Sequence, residues 1–141
     1  MRLTVQTTIQ APIFTVWEAY TTPGDIVKWN TASDDWHTTS ATSDLRKGGE
    51  FCSRMEAKDG SAGFNFEGIY TNIVQGELIE YEFGGRHAQV LFSKTSDGTT
   101  VKVSFDSESS HSLEQQSQGW QAILDNFKKY VESSVDNRSN G

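Results

Sequence analysis

The segment that most restricts this chain is its last long one, residues 112–133, SLEQQSQGWQAILDNFKKYVES. Trp120, Ile123, Leu124, Phe127 and Val131 recur at helical offsets of three, four and seven, while Gln121, Asp125, Asn126, Lys128, Lys129 and Glu132 take the other side. The spacing predicts a helix with one buried stripe. Ser112 followed by Gln115 has the form of a capping box, and Asp125 with Lys129 predicts a favourable pair one turn apart. Each buried side chain of such a stripe is worth roughly 1.5–3 kcal/mol, and a helix of this length is marginal alone in water. The rest of the chain must therefore present an apolar surface, and a sheet with a concave face fits that need.

Upstream, residues 2–10 alternate, with Leu3, Val5, Thr7 and Ile9 on one side, which predicts a half-buried strand. Pro12 opens a short helix with Ile13, Val16, Trp17 and Tyr20 on its apolar face, and Thr22-Pro23 opens a second with Ile26 and Trp29 inward. Glycine turns then punctuate the chain at Gly48-Gly49, Asp59-Gly60, Gln75-Gly76, Gly84-Gly85 and Asp97-Gly98. Strands are expected at about 35–43, 50–57, 63–74, 77–84, 86–95 and 99–107, joined as an antiparallel meander.

Alternation places Phe51, Met55, Phe64, Phe66, Tyr70, Ile79, Tyr81, Phe83, Val90, Phe92, Val101, Val103 and Phe105 toward the helix. The other parity carries Arg54, Glu56, Asn65, Glu67, Glu80, Glu82, Lys102 and Ser104, as suits a solvated outer face, and Ile69 and Leu91 break the pattern. The fold class is α+β: a curved antiparallel sheet of about seven strands wrapped around a long C-terminal helix, with two short helices after the first strand. Residues 1–133 form a single domain, and the polar stretch 134–141, SVDNRSNG, is expected to be a disordered tail.

This order of elements resembles the START-related helix-grip superfamily, also called SRPBCC or Bet v 1-like. Pro12 with Val16-Trp17-Glu18-Ala19, Thr22-Pro23, Trp29, Asp44-Leu45-Arg46 with Gly48-Gly49, Phe51, Met55, Asp59-Gly60, Phe66-Glu67-Gly68, and Gly119-Trp120 through Leu124 and Phe127 resemble one branch. That branch is the activator-of-heat-shock-protein-90-ATPase-like group, often labelled polyketide cyclase-related. Many of its members carry a second Trp where Asn30 stands here, which looks like a bacterial subgroup of small stand-alone domains. The resemblance implies a cavity between sheet and closing helix that receives an apolar or amphipathic small molecule. It also carries two further readings: a cyclase- or hydrolase-type enzyme using the same cavity, and a chaperone-interaction protein.

Charge narrows the partners. With 12 Lys+Arg against 19 Asp+Glu the formal charge is −7, and no basic run is present, which speaks against nucleic acid and anionic membrane surfaces. No apolar run reaches the ~20 residues that span a bilayer, and Met1 leads straight into a strand pattern, so a cytoplasmic protein is expected. Cys52 is the single cysteine, which leaves no internal disulfide and no cysteine zinc cage; it is expected to pack as a small hydrophobe. His37, His87 and His111 stand at no ligand spacing, so neither a metal nor another cofactor is expected. A monomer and a homodimer both remain compatible with the pattern.

The candidate ligand-binding residues are Trp29, Trp36, His37, Met55, Phe64, Phe66, Tyr70, Tyr81, Phe83, Trp120 and Leu124. The same rings could instead fill a solid core. Asp35 and His37 would share a strand face, which makes them the acid–base candidates, against the alternative that one caps a loop and the other packs at an edge. Arg54 is expected to turn outward and form a cross-strand pair with Glu67 or a neighbouring carboxylate. Gly119, inside the helix, suggests a close approach by another backbone or by a ligand.

Overall fold

Two short helices interrupt the chain before its meander begins. The computed structural model describes the backbone of residues 1–140 and the side chains of residues 1–134. Strand β1 (Arg2–Ile9) is followed by α1 (Ile13–Thr21) and α2 (Pro23–Trp29). Then come β2 (Trp36–Ser43), β3 (Glu50–Ala57), β4 (Gly63–Val74), β5 (Leu78–Phe83), β6 (Arg86–Lys94), β7 (Thr99–Asp106) and α3 (Leu113–Asn140). The strands form one antiparallel seven-stranded sheet in the order β1-β7-β6-β5-β4-β3-β2. Only β1 leaves sequence order, because α1 and α2 carry the chain from one edge of the sheet to the other.

The inward parity packs as expected: Ile9, Val90, Val101, Phe105 and Phe127 are fully buried, and Leu124 and Val131 nearly so. The outer face is polar, with Thr4 bonded to Ser104 and Thr8 to Thr100, both at 3.0 Å. Two register shifts, at Thr38/Ser40 and Tyr70/Asn72, bend the β2–β5 half, as bulges do. Gly68 permits a tight contact there. A Cβ on it would lie 2.2 Å from the Glu82 carbonyl and 2.9 Å from the Phe51 ring.

Ser112 and Gln115 form the capping box, the Gln115 amide donating to Ser112 Oγ at 3.1 Å and the Ser112 amide to Gln115 Oε1 at 3.2 Å. Helix α3 is then tied to the β1 side: the Gln10 amide donates to Glu132 and Gln121 Nε2 to the Gln6 carbonyl. It is also tied to α2 and its loop through Tyr130 to Asp25 and Asn126 to the Thr31 carbonyl.

The structure corrects several expectations. Helix α3 runs to Asn140 instead of ending near Ser133, since no glycine or proline interrupts SVDNRSN; Gly141 and the side chains of 135–140, part of the expected tail, lie outside the described residues. Asp125 accepts from Gln121 at 2.9 Å, and no Asp125–Lys129 ion pair forms among the described residues. Cys52 lies half-buried on the outer face opposite Glu67, because it shares parity with Arg54; desolvation first, then Glu67, pushes its thiol pKa up. The Arg54 ion pair is not cross-strand: it joins Glu56 at 3.1 Å along the same strand, β3.

Candidate functional site

Because α3 is fastened along β1 and α2, it stands away from the curved β3–β5 half of the sheet, and the space between them is a cavity of about 590 Å³. Its floor is Phe51, Met55, Phe66, Tyr70, Ile79 and Tyr81, each inward by alternation on its strand. Trp29 and Tyr20 close one side from the short helices, and Trp120, Ile123 and Leu124 form the roof. Trp36 and Phe64 stand at the outer rim with ring centroids 5.8 Å apart, and Phe64 is 47% exposed. Most of this wall is apolar, with nine aromatic rings in it, the usual make-up of a site for a small apolar molecule.

Several wall residues are held from behind. Trp120 stacks on Phe105 with centroids 4.0 Å apart and planes 6° from parallel. Trp29 donates its indole N–H to the Ala19 carbonyl at 2.9 Å in the buried interior. Tyr70 and Ser43 share a hydroxyl hydrogen bond of 2.7 Å, and Tyr70 faces Tyr81 across the β4–β5 ladder. Burial raises the pKa of Tyr20, Tyr70 and Tyr81, so all three remain protonated phenols at neutral pH.

Gly119 also borders the cavity, and a Cβ built there would meet nothing within 4 Å. No backbone closes on it, contrary to one of the two expectations. What its missing side chain leaves is room.

The polar end lies where β7 hands over to α3. Gln116, 8% exposed, donates to the carbonyls of Glu108 and His111 at 3.0 and 2.8 Å and accepts from the Glu108 amide at 2.8 Å. The Glu108 carboxylate takes the Ser110 hydroxyl, the His111 amide and a His111 ring nitrogen. These bonds, led by the one from Ser110, hold its pKa down at about 2. Arg86 borders the same end with its guanidinium 4.5 Å over the Phe83 ring, and it forms no ion pair among the described residues.

Nine of the expected ligand-binding residues line the cavity: Trp29, Trp36, Met55, Phe64, Phe66, Tyr70, Tyr81, Trp120 and Leu124. Two do not. Phe83 is buried behind the wall, packed on Phe66 and Trp120, with Arg86 over its face. His37 is exposed opposite Glu56, because adjacent residues of a strand face opposite ways and Trp36 takes the inward side. Asp35 precedes β2 in a turn, its carboxylate accepting from Ser33 at 2.7 Å and its carbonyl from Lys58 at 2.9 Å. The structure therefore does not bring Asp35 and His37 together as an acid–base pair.

Tyr20, Phe51, Ile79, Arg86 and Gln116 also line the cavity, beyond the residues expected from the sequence. For Phe51 and Ile79 the signal is present in the sequence, since alternation turns both inward. Tyr20 looked like helix core, Gln116 like a polar first turn, and Arg86 sits beside a glycine turn, so only the tertiary fold reveals their shared surroundings. Among the described residues, no three of His, Cys, Asp and Glu gather as metal ligands, and no helix is long and apolar enough to cross a membrane.

Comparison with known proteins follows the same outline. A family model described as Activator of Hsp90 ATPase homolog 1-like protein matches residues 10–132. The solution structure of an AHSA1-like protein from Aeromonas hydrophila is 45% identical, with TM-score 0.91 over 96% of this chain and 94% of that one. A solution structure from Cytophaga hutchinsonii is 43% identical, with TM-score 0.82 over 96% of this chain and 94% of that one. A crystal structure from Nitrosomonas europaea shares the fold at 19% identity, with TM-score 0.80 over 96% of this chain and 97% of that one. No curated protein matches the chain.

Proposed function

Since the chain belongs to the Activator of Hsp90 ATPase homolog 1-like family, a branch of a fold that commonly binds hydrophobic ligands, we propose that it is a binding protein for a small apolar or aromatic molecule. The observation that carries this reading is the aromatic cavity of about 590 Å³ under α3. That volume falls within the usual 300–1,000 Å³ range of small-molecule sites. Gly119 supports it, because alanine at an interior helical position would be more stable by about 1 kcal/mol, yet glycine stands where any side chain would intrude on the space. Acid–base catalysis by Asp35 and His37 finds no support in their positions.

The test uses N-phenyl-1-naphthylamine, a neutral probe that fluoresces in apolar surroundings. The wild type is expected to bind one equivalent with enhanced emission. Gly119→Leu, which meets no neighbour at Cβ and improves helix propensity, is expected to keep or raise Tm and to bind at least tenfold more weakly. Equal binding by both proteins, or none by the wild type, refutes the reading. Native mass spectrometry of protein purified from its own cells then identifies any retained compound.

A further inference from the structure

Two phenol hydroxyls at the cavity are left unused by the protein itself. Tyr20 and Tyr81 both line it, and neither hydroxyl has a hydrogen-bond partner among the described residues, whereas Tyr70 bonds Ser43. Tyr81 is only 7% exposed, and no buried side-chain nitrogen or oxygen of the described residues is sealed off without a partner, so its oxygen opens onto the cavity space. The ring of Tyr20 is fixed by Trp29, Phe92 and Phe127 at centroid distances of 5.0, 5.5 and 5.1 Å, and that of Tyr81 by Phe51 and Phe83 at 5.1 and 5.5 Å. Rings held this firmly from several sides keep their hydroxyls aimed. The phenols also lie within electrostatic reach of one another: after burial, Tyr20 and Tyr70 raise the pKa of Tyr81, and Tyr70 raises that of Tyr20.

A phenol hydroxyl that opens onto the cavity without a protein partner adds nothing to the packing of the fold, and a phenylalanine would pack as well without it. We propose that Tyr20 and Tyr81 are a pair of donors that receives one uncharged oxygen, the carbonyl of a ketone, ester or amide, on an otherwise apolar ligand. This deepens, and rests on, the reading of the cavity as a binding site. Both phenols stay protonated and donate, and a carbonyl oxygen has two lone pairs to accept them. A carboxylate suits the position poorly, since its desolvation exceeds what two neutral donors return, and Arg86, the arginine among the lining residues, already lies over Phe83 and 3.4 Å from the Asp106 carbonyl.

The pairing separates cleanly by matched probes: 2-acetylnaphthalene, its hydrocarbon analogue 2-isopropylnaphthalene, and 2-naphthoate, titrated by two-dimensional NMR. The wild type is expected to bind the ketone about tenfold more tightly than the hydrocarbon, as two modest hydrogen bonds imply. In the Tyr20→Phe/Tyr81→Phe double variant that advantage should vanish while hydrocarbon affinity stays within about twofold. Tm should hold or rise, because the protein loses no hydrogen bond of its own. Hydrocarbon and ketone bound equally by the wild type, or a ketone preference that survives the double variant, overturns the donor pair and leaves the cavity reading standing. Preference for naphthoate, lost in Arg86→Gln, also overturns it and assigns the head group to the arginine. Binding of no probe overturns both readings.

Discussion

At the entrance to α3, Glu108 collects the Ser110 hydroxyl and two groups of His111, and the bonds hold its pKa at about 2, below the ordinary carboxylate value of 4.5. The folded state therefore prefers the ionised form. Its contribution is complete above about pH 4.5 and is lost as pH falls through about 2. The Tm gap between wild type and Glu108→Gln should be open near neutrality and close progressively across that window; a gap independent of pH would contradict the assignment. Asp106, whose carboxyl is held down chiefly by the His87 amide, titrates in the same direction in both proteins and cancels from the difference.

At the scale of the elements, Gly68 joins three strands: it sits opposite Phe51 on β3, and the place a Cβ would take lies against the Glu82 carbonyl of β5. Gly68→Ala places a methyl 2.2 Å from that oxygen, so the β4–β5 ladder must shift, at a cost of about 1–3 kcal/mol. Urea unfolding should show a lower midpoint with an unchanged slope. The elements themselves were largely legible in the sequence, because alternation and glycine turns repeat over every strand and the α3 stripe spans three turns. What alternation alone could not supply was phase at the start of β2, where Trp36 and His37 compete for the inward side and the deciding neighbours, Ala57 and Phe64, are distant in sequence. Nor could helical periodicity distinguish Leu124, at once core and wall, from Tyr20, whose ring packs the core while its hydroxyl borders open space. Whether inward rings fill a volume or only surround it depends on sheet curvature, and the bulges that set it leave no reliable mark on residue type.

For the molecule as a whole, Phe127 is the point at which the helices meet, with the rings of Tyr20 and Trp29 at 5.1 and 4.7 Å and no exposure of its own. Phe127→Ala should lower stability by about 3–5 kcal/mol while retaining a single unfolding transition, since α1, α2 and α3 lose the same contact together. A loss below about 1 kcal/mol in chemical denaturation would mean that the helices are fixed some other way. The placement of the four tryptophans has a separate consequence. Trp17 is shut in against Phe92, but Trp29, Trp36 and Trp120 all face the cavity. The chain thus carries its own optical gauge: a guest that enters must displace the surroundings of those three indoles at once, so unlabelled protein should announce occupancy through the colour and lifetime of its ultraviolet emission.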